Sequence, residues 1–161
     1  MKTLVLGLGN TLLRDEGVGV VATNALRARH GESEGLAFVD GGTLSFALAG
    51  IIAETDALIV LDAAELGEPP GTVRCWIGEA MDRFLGSSRQ RSVHEVALLD
   101  LMALALLEDR LPPRRALIAV QPGTIAWGET LGPAVAAAVA SMCEQASALI
   151  GRWRHLDRGE H

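Results

Sequence analysis

The sequence is poor in cysteine, in basic residues and in long uncharged stretches. Its two cysteines, Cys75 and Cys143, form no CxxC motif, so neither a disulfide framework nor a thiolate zinc site is indicated. Twenty acidic against fourteen basic residues give a net charge of −6, which disfavours a nucleic-acid-binding surface. The longest run without a charged residue, Thr130 to Cys143, has 14 residues. A membrane span needs about 20 residues, and the N-terminus shows no signal-peptide pattern. We therefore expect a soluble cytoplasmic protein that binds neither nucleic acid nor membrane.

Several common catalytic and nucleotide-binding motifs are also missing. Gly7-Leu8-Gly9 follows the first predicted strand, but Leu12 stands where a dinucleotide-binding GxGxxG motif needs its third glycine. There is no GK[ST] phosphate loop and no GxSxG nucleophile motif. His94-Glu95 begins like the zinc-protease motif HExxH, but Leu98 replaces the second histidine. Nucleotide binding is thus a disfavoured alternative, and covalent nucleophilic catalysis has little support.

What the sequence does have is an alternation of apolar strands and amphipathic helices. Its 161 residues, 49% of them hydrophobic, suit one domain with a large core. Strands are predicted at 2–8, 36–40, 57–62, 72–77 and 116–121, with helices beginning near residues 16, 44, 79, 93 and 131. The opening βαβαβ pattern predicts parallel strands joined by right-handed crossovers. The nine-residue loop 63–71 is too short for a crossover, so the strand at 72–77 should be antiparallel and lie at an edge.

The predicted fold class is α/β, a three-layer sandwich. It has a five-stranded, mostly parallel twisted sheet with one antiparallel edge strand and helices on both faces. Residues 1–153 form the domain and residues 154–161 a C-terminal tail. Apolar spacing predicts the buried face of three helices. These faces are Val18, Val21, Ala25 and Ala28; Val96, Leu99, Ala103 and Leu106; and Val135, Val139, Met142, Ala146 and Leu149.

Two carboxylates are placed where an α/β sheet would bind a ligand. If the strand order begins 2-1-3, the loops after strands one and three diverge and leave a crevice at the carboxyl edge of the sheet. Glu16 follows strand one and Asp62 ends strand three, so both would border this crevice. Each also has a structural explanation, because Glu16 could offset a helix dipole and Asp62 could close a strand.

A histidine could complete this pair. Ser92-Val93-His94-Glu95 matches the S-x-x-E capping box, which places His94 in the first turn of a helix, where the helix dipole favours a neutral imidazole. One imidazole and two carboxylates suit a divalent ion such as nickel, zinc or manganese. A metal site is therefore expected only if Glu16, Asp62 and His94 converge.

Two further segments lie at the same predicted edge of the sheet. Asp40-Gly41-Gly42-Thr43 follows strand two, and Gln121-Pro122-Gly123 follows the last strand. Each is explained equally well by turn chemistry or by contact with a substrate.

Five segments together resemble the nickel-iron hydrogenase maturation endopeptidases. They are GLGNTLLRDEGVG at 7–19, DGGT at 40–43, Asp62, SVH at 92–94 and VQP at 120–122, and the similarity extends over residues 1 to about 150. Three positions depart from the family pattern, with Ala97 and Ala119 in place of glycines and Gly132 in place of a serine that often precedes the proline.

The resemblance implies an endopeptidase that recognises nickel already inserted in the precursor of the hydrogenase large subunit and then removes a short C-terminal extension. It also implies that Glu16, Asp62 and His94 contact the metal. We expect the nickel to arrive with the substrate, so that no cofactor is permanently bound. These three residues are also the catalytic candidates, with either carboxylate as general base, and residues 40–43 are the candidate substrate contacts. The alternative is a non-catalytic metal-delivery or scaffold protein for hydrogenase assembly.

Overall fold

A computed structural model describes residues 1–42, 47–87 and 93–159 of the chain. Its five strands form one sheet in the order β2-β1-β3-β5-β4. The strands are β1 (Thr3–Leu8), β2 (Leu36–Gly42), β3 (Ala57–Ala63), β4 (Val73–Ile77) and β5 (Arg114–Val120). All neighbouring pairs are parallel except β4 with β5, and β4 is an edge strand. The predicted fold class, the 2-1-3 order and the antiparallel edge strand are confirmed.

Helices cover both faces of this sheet. They are α1 (Val18–His30), α2 (Ala47–Ala53), α3 (Glu79–Ser87), α4 (Val93–Leu107) and α5 (Pro133–Asp157). Successive strand residues point to opposite faces, so β1 supplies Val5 to one core and Leu4 and Leu6 to the other. The first core is shared with α1 and α5, and the second with α2, α3 and α4. Because both faces are covered, the central strands are mostly apolar, and Asp62 in β3 is a buried exception.

The buried face of α5 is the one that its spacing predicts. Val135, Met142, Ala146 and Leu149 are buried, and Val139 packs against the same core. By length and composition α5 could cross a membrane, but in this fold its apolar face packs on the domain core. The helix continues to Asp157, so the predicted boundary at residue 153 falls inside it.

The predicted buried face of α4 was wrong, and that of α1 was right only at Val18, which is buried in the first core. In α1, Val21, Ala25 and Ala28 are exposed, whereas Ala22 and Leu26 are buried. This helix packs against the sheet on one side and α5 on another, so it lacks a single apolar stripe.

In α4 the apolar spacing fits more than one face. Val96, Ala103 and Leu106 of the predicted stripe are exposed, and Leu99 is only partly buried. The buried residues are Leu98, Leu101, Met102 and Ala105. Because apolar residues surround almost the whole helix, periodicity could not select the face that packs.

Candidate active site

Glu16 lies in a tight turn between β1 and α1. The sequence predicts it in the first turn of an α-helix, but the structure places it in a 3-10 helix, Arg14–Gly17, that precedes α1. The preceding loop folds back so closely that a Cβ on Gly9, whose φ is +117°, would overlap the carbonyl oxygen of Glu16. Only glycine accommodates both this conformation and this approach. The glycines of the first motif therefore help to fix the backbone that carries Glu16.

His94 lies directly beside Glu16. It is the second residue of α4, and its Nδ1 is 3.3 Å from Oε1 of Glu16. The two side chains are 13% and 21% exposed, so both are largely buried but still accessible to solvent. The predicted capping residue Ser92 lies outside the described residues. The structure thus brings together two of the three predicted metal contacts, from segments 78 positions apart.

Asp62, the third predicted contact, is buried near the carboxyl end of β3. It is 2% exposed, and its Oδ1 accepts a hydrogen bond of 2.8 Å from the backbone N–H of Ala63. Burial raises the pKa of Asp62 well above its ordinary value, and the negative charges of Glu95 and Glu16 raise it further. The Ala63 hydrogen bond acts in the opposite direction but does not compensate. In this environment the neutral form of the carboxyl group is favoured more strongly than in an exposed aspartate.

The three residues do not form a preassembled metal cage. Across residues 1–42, 47–87 and 93–159, no three His, Cys, Asp or Glu side chains are grouped closely enough to hold a metal ion. Glu16 and His94 are in contact, and the negative charge of Glu16 raises the pKa of Asp62. The donor types are those that suit a borderline divalent cation.

The predicted substrate-contact segment borders the same edge. β2 extends through Gly42, so Asp40, Gly41 and Gly42 belong to a strand end, and Thr43 lies outside the described residues. The exposed Asp40 accepts a hydrogen bond of 2.8 Å from the N–H of Gly42 through its Oδ1. The Gly42 carbonyl in turn accepts a 3.4 Å bond from the N–H of Gly9, which joins this turn to the loop that leads to Glu16.

Gln121 has a structural role. It is 5% exposed, and its Oε1 accepts a hydrogen bond of 2.6 Å from the backbone N–H of Leu66. Its Nε2 donates to Oε2 of Glu65 at 3.0 Å. These bonds fix the loop between β3 and β4, so its side chain is already engaged within the fold.

A second buried carboxylate, Asp15, was missed as a separate feature of the sequence. It is 1% exposed and accepts backbone hydrogen bonds from Gly123 at 2.8 Å, Thr124 at 2.7 Å and Gly132 at 2.6 Å. Burial by itself would raise the pKa of Asp15, but these three bonds, helped by Arg14, lower it overall. Asp15 thereby fastens the loop after β5 to the turn that carries Glu16. No local signal reveals this, because its donors lie 108 to 117 positions further along the chain.

The fold and the site together define a class of protein, a three-layer α/β domain with two carboxylates and an imidazole at the carboxyl edge of its sheet. A family model described as hydrogenase maturation protease matches residues 20–149. The chain belongs to the hydrogenase maturation protease family.

Individual relatives and solved structures agree with this assignment. The chain is 33% identical over 151 residues to the hydrogenase expression/formation protein HoxM of Cupriavidus necator, covering 93% of this chain and 74% of that protein. It is 31% identical over 151 residues to the hydrogenase 2 maturation protease of Escherichia coli, covering 93% and 91%.

Two solved structures extend the comparison to the fold. The hydrogenase maturating endopeptidase HybD of Escherichia coli matches with a TM-score of 0.88 at 31% identity, over 94% of this chain and 93% of that one. The NiFe hydrogenase maturation protease HybD of Thermococcus kodakarensis matches with a TM-score of 0.78 at 29% identity, over 92% and 99%.

Proposed function

We propose that this protein is a cytoplasmic endopeptidase that removes the C-terminal extension of a nickel-iron hydrogenase large-subunit precursor once nickel has been inserted. Membership of the hydrogenase maturation protease family supports proteolysis during hydrogenase assembly. In this proposal nickel is part of the substrate, and the protein has no resident cofactor. Glu16, Asp62 and His94 recognise the ion.

One observation supports the proposal most strongly. His94 and Glu16 are paired, and the buried Asp62, whose negative charge is unfavourable, is close enough to be affected by the charge of Glu16. Nδ1 of His94 and Oε1 of Glu16 already lie 3.3 Å apart, so a nitrogen donor and an oxygen donor are next to each other. Asp62 is surrounded by low-dielectric core and by other acids, which makes its ionised form costly. A divalent cation that entered with the substrate would reverse this penalty, since it attracts the same carboxylates that repel one another in the free protein.

This arrangement makes cleavage conditional on the metal. Without the ion, the ionised form of Asp62 is disfavoured, and the acids of the site have no cation through which to dock a peptide. With it, the ion completes its coordination on the three side chains and docks the scissile peptide in one orientation, which lowers the entropic cost of the reaction. The ion can then polarise the scissile carbonyl or activate the attacking water, and Glu16 or Asp62 accepts the proton released by that water. Asp40, Gly41, Gly42 and Thr43 contact the peptide in this proposal.

Intact-mass measurement on two forms of the precursor tests this proposal. Purified protein is incubated with nickel-loaded and with nickel-free large-subunit precursor. Loss of a C-terminal peptide from the loaded form alone is the expected result. Equal cleavage of both forms would refute recognition of nickel, and absence of cleavage would favour the scaffold or metal-delivery alternative.

Matched variants test the residue assignments. Glu16→Gln and His94→Ala are expected to stop cleavage while leaving the circular dichroism spectrum unchanged. Glu144→Gln and His155→Ala make the same chemical changes at exposed positions of α5, and should retain activity. Full activity in Glu16→Gln and His94→Ala would contradict the site.

A further inference from the structure

Three large apolar side chains are exposed on two loops at the carboxyl edge of the sheet. Leu12 is 49% exposed, Ile125 is 58% exposed and Trp127 is 81% exposed. Leu12 lies on the loop after β1, and the other two lie on the loop after β5. We call these three residues the apolar patch. Large exposed apolar side chains on neighbouring loops are typical of interaction surfaces, and tryptophan is enriched among the residues that dominate binding energy.

The two loops that carry the apolar patch are joined to each other by backbone hydrogen bonds. The N–H of Gly128 donates to the carbonyl of Leu12 at 2.9 Å, and the N–H of Arg14 donates to the carbonyl of Gly128 at 2.8 Å. The N–H of Asp15 also donates to the carbonyl of Thr124 at 3.1 Å. The Asp15 carboxylate also accepts hydrogen bonds from the N–H groups of Gly123 and Thr124 in the same loop. The patch is therefore held in place before any partner arrives, which reduces the ordering cost of binding.

The loop that carries Leu12 leads directly into the turn that carries Glu16. Leu12 lies four positions before Glu16, and the N–H of Glu16 donates to the carbonyl of Leu13 at 3.2 Å. The acids of the site complement a partner that carries a cation, and aromatic residues such as Trp127 are enriched at protein–protein interfaces. One partner can therefore present its metal to Glu16, Asp62 and His94 while it covers the patch.

We infer that the apolar patch docks an apolar segment of the nickel-bearing large-subunit precursor next to its metal site. This inference rests on the proposed function, and it adds a second determinant of substrate choice. The cation decides whether the peptide is cut, whereas Trp127 and its neighbours contribute to the affinity for the folded precursor. Loss of the patch therefore weakens substrate binding without changing the chemistry at the ion.

Steady-state cleavage of the nickel-loaded precursor by Trp127→Ala and Ile125→Ala tests the inference. For Trp127→Ala, KM should rise about tenfold or more, because truncation of a central binding residue typically costs at least that factor, while kcat stays within about twofold. Leu107→Ala is the control. Leu107 is 83% exposed but ends α4, at the opposite end of that helix from His94. An unchanged KM in both patch variants, or an equal rise in Leu107→Ala, would overturn the inference.

A binding measurement that does not depend on cleavage separates this inference from the proposed function. The protein is labelled with 5-fluorotryptophan, and the fluorine resonance of Trp127 is assigned with Trp127→Phe. Addition of precursor should shift this resonance and leave that of the buried Trp153 in place. A shift without cleavage would support docking and refute the endopeptidase, whereas cleavage without a shift would do the reverse. A shift that depends on protein concentration alone would assign the patch to a second copy of this chain and overturn the inference.

Discussion

Asp15 and Asp62 are two buried aspartates at the same edge of one sheet, yet their environments have opposite effects. Asp15 accepts three backbone hydrogen bonds, and its pKa is lowered even though burial opposes this. Asp62 accepts one such bond, from Ala63, and has Glu95 and Glu16 as charged neighbours, so its pKa is raised. Exposure does not explain the contrast, because the two side chains are 1% and 2% exposed.

The contrast shows that Asp15 stabilises the fold, whereas Asp62 is a candidate functional residue. The negative charge of Asp15 is satisfied by the protein itself, so this residue stabilises the loops around the crevice. The negative charge of Asp62 is not offset by its surroundings, so the folded protein retains a destabilising group. Destabilising groups of this kind are typical of functional sites, where a ligand supplies the missing charge.

The largest expected effect is that of Asp62→Asn on activity. Processing of the nickel-loaded precursor should fall by about 100-fold or more, since loss even of an outer-shell partner of a metal site costs 10-fold to 100-fold. The metal-free variant should nevertheless melt at a higher temperature than the wild type at neutral pH, because the amide carries no charge to bury. A cleavage assay measures the loss of processing, and calorimetry measures the melting temperature. If Asp62→Asn were active and less stable than the wild type, Asp62 would be a stabilising residue like Asp15 and not a residue of the site.

The next effect in size is that of Asp15→Ala on stability. Three N–H groups, of which that of Gly132 is buried, lose a charged acceptor, which should cost on the order of 3 kcal/mol. Hydrogen exchange should become faster at the amides of Gly123, Thr124 and Gly132. Asp82→Ala is the matched control, because Asp82 pairs with Arg115 away from these loops. If exchange at the three amides is as slow in Asp15→Ala as in Asp82→Ala, Asp15 does not hold the loop.

The two aspartates should also respond to pH in opposite directions. A lowered pKa means that Asp15 stabilises the protein above its unfolded-state pKa and that this stability is lost as the pH falls through its folded-state value. A raised pKa means that Asp62 costs nothing below its unfolded-state value and an increasing amount as the pH rises towards its folded-state value.

Melting temperatures of the wild type, Asp15→Asn and Asp62→Asn from about pH 3 to about pH 8 sharpen this contrast. The deficit of Asp15→Asn should shrink as the pH falls, and the advantage of Asp62→Asn should grow as it rises. Parallel curves for the three proteins would show that the pKa values are not shifted in opposite directions.

The smallest effect is expected at Asp40, a third aspartate near this edge, which is exposed. Asp40→Ala removes one hydrogen bond to the N–H of Gly42, and surface changes of this kind usually alter stability by less than about 0.5 kcal/mol. If residues 40–43 contact the peptide, KM should rise by a few fold, about threefold to fivefold being equivalent to one weak hydrogen bond. An unchanged KM would show that Asp40 only stabilises the turn through its bond to Gly42 and does not contact the peptide.

The sheet could be predicted because its determinants are local. Apolar runs define the strands, and the short loop 63–71 forces β4 to be antiparallel. The 2-1-3 order then places Glu16 and Asp62 at one crevice before any coordinate is known. The buried faces of α1 and α4 could not be predicted, because α1 packs between two layers and α4 is apolar almost all round.

In the site, too, local sequence features could be predicted and long-range contacts could not. Glu16 and His94 were recognisable because each follows a local motif, and the fold brings them together. The clamp formed by Asp15 depends on three donors in a loop more than 100 positions away, for which the sequence contains no periodic or local signal. Asp15 and Glu16 are adjacent acids with different partners, and only the structure distinguishes them.

In the proposed function, Glu16, Asp62 and His94 bind the nickel that the precursor carries. Nickel K-edge X-ray absorption of the loaded precursor, frozen alone and shortly after mixing with the protein, tests it most directly. We predict that mixing adds imidazole nitrogen and carboxylate oxygen ligands to the nickel, and that the nitrogen is absent with His94→Ala. An unchanged nickel spectrum in a sample that goes on to release the C-terminal peptide would contradict the account.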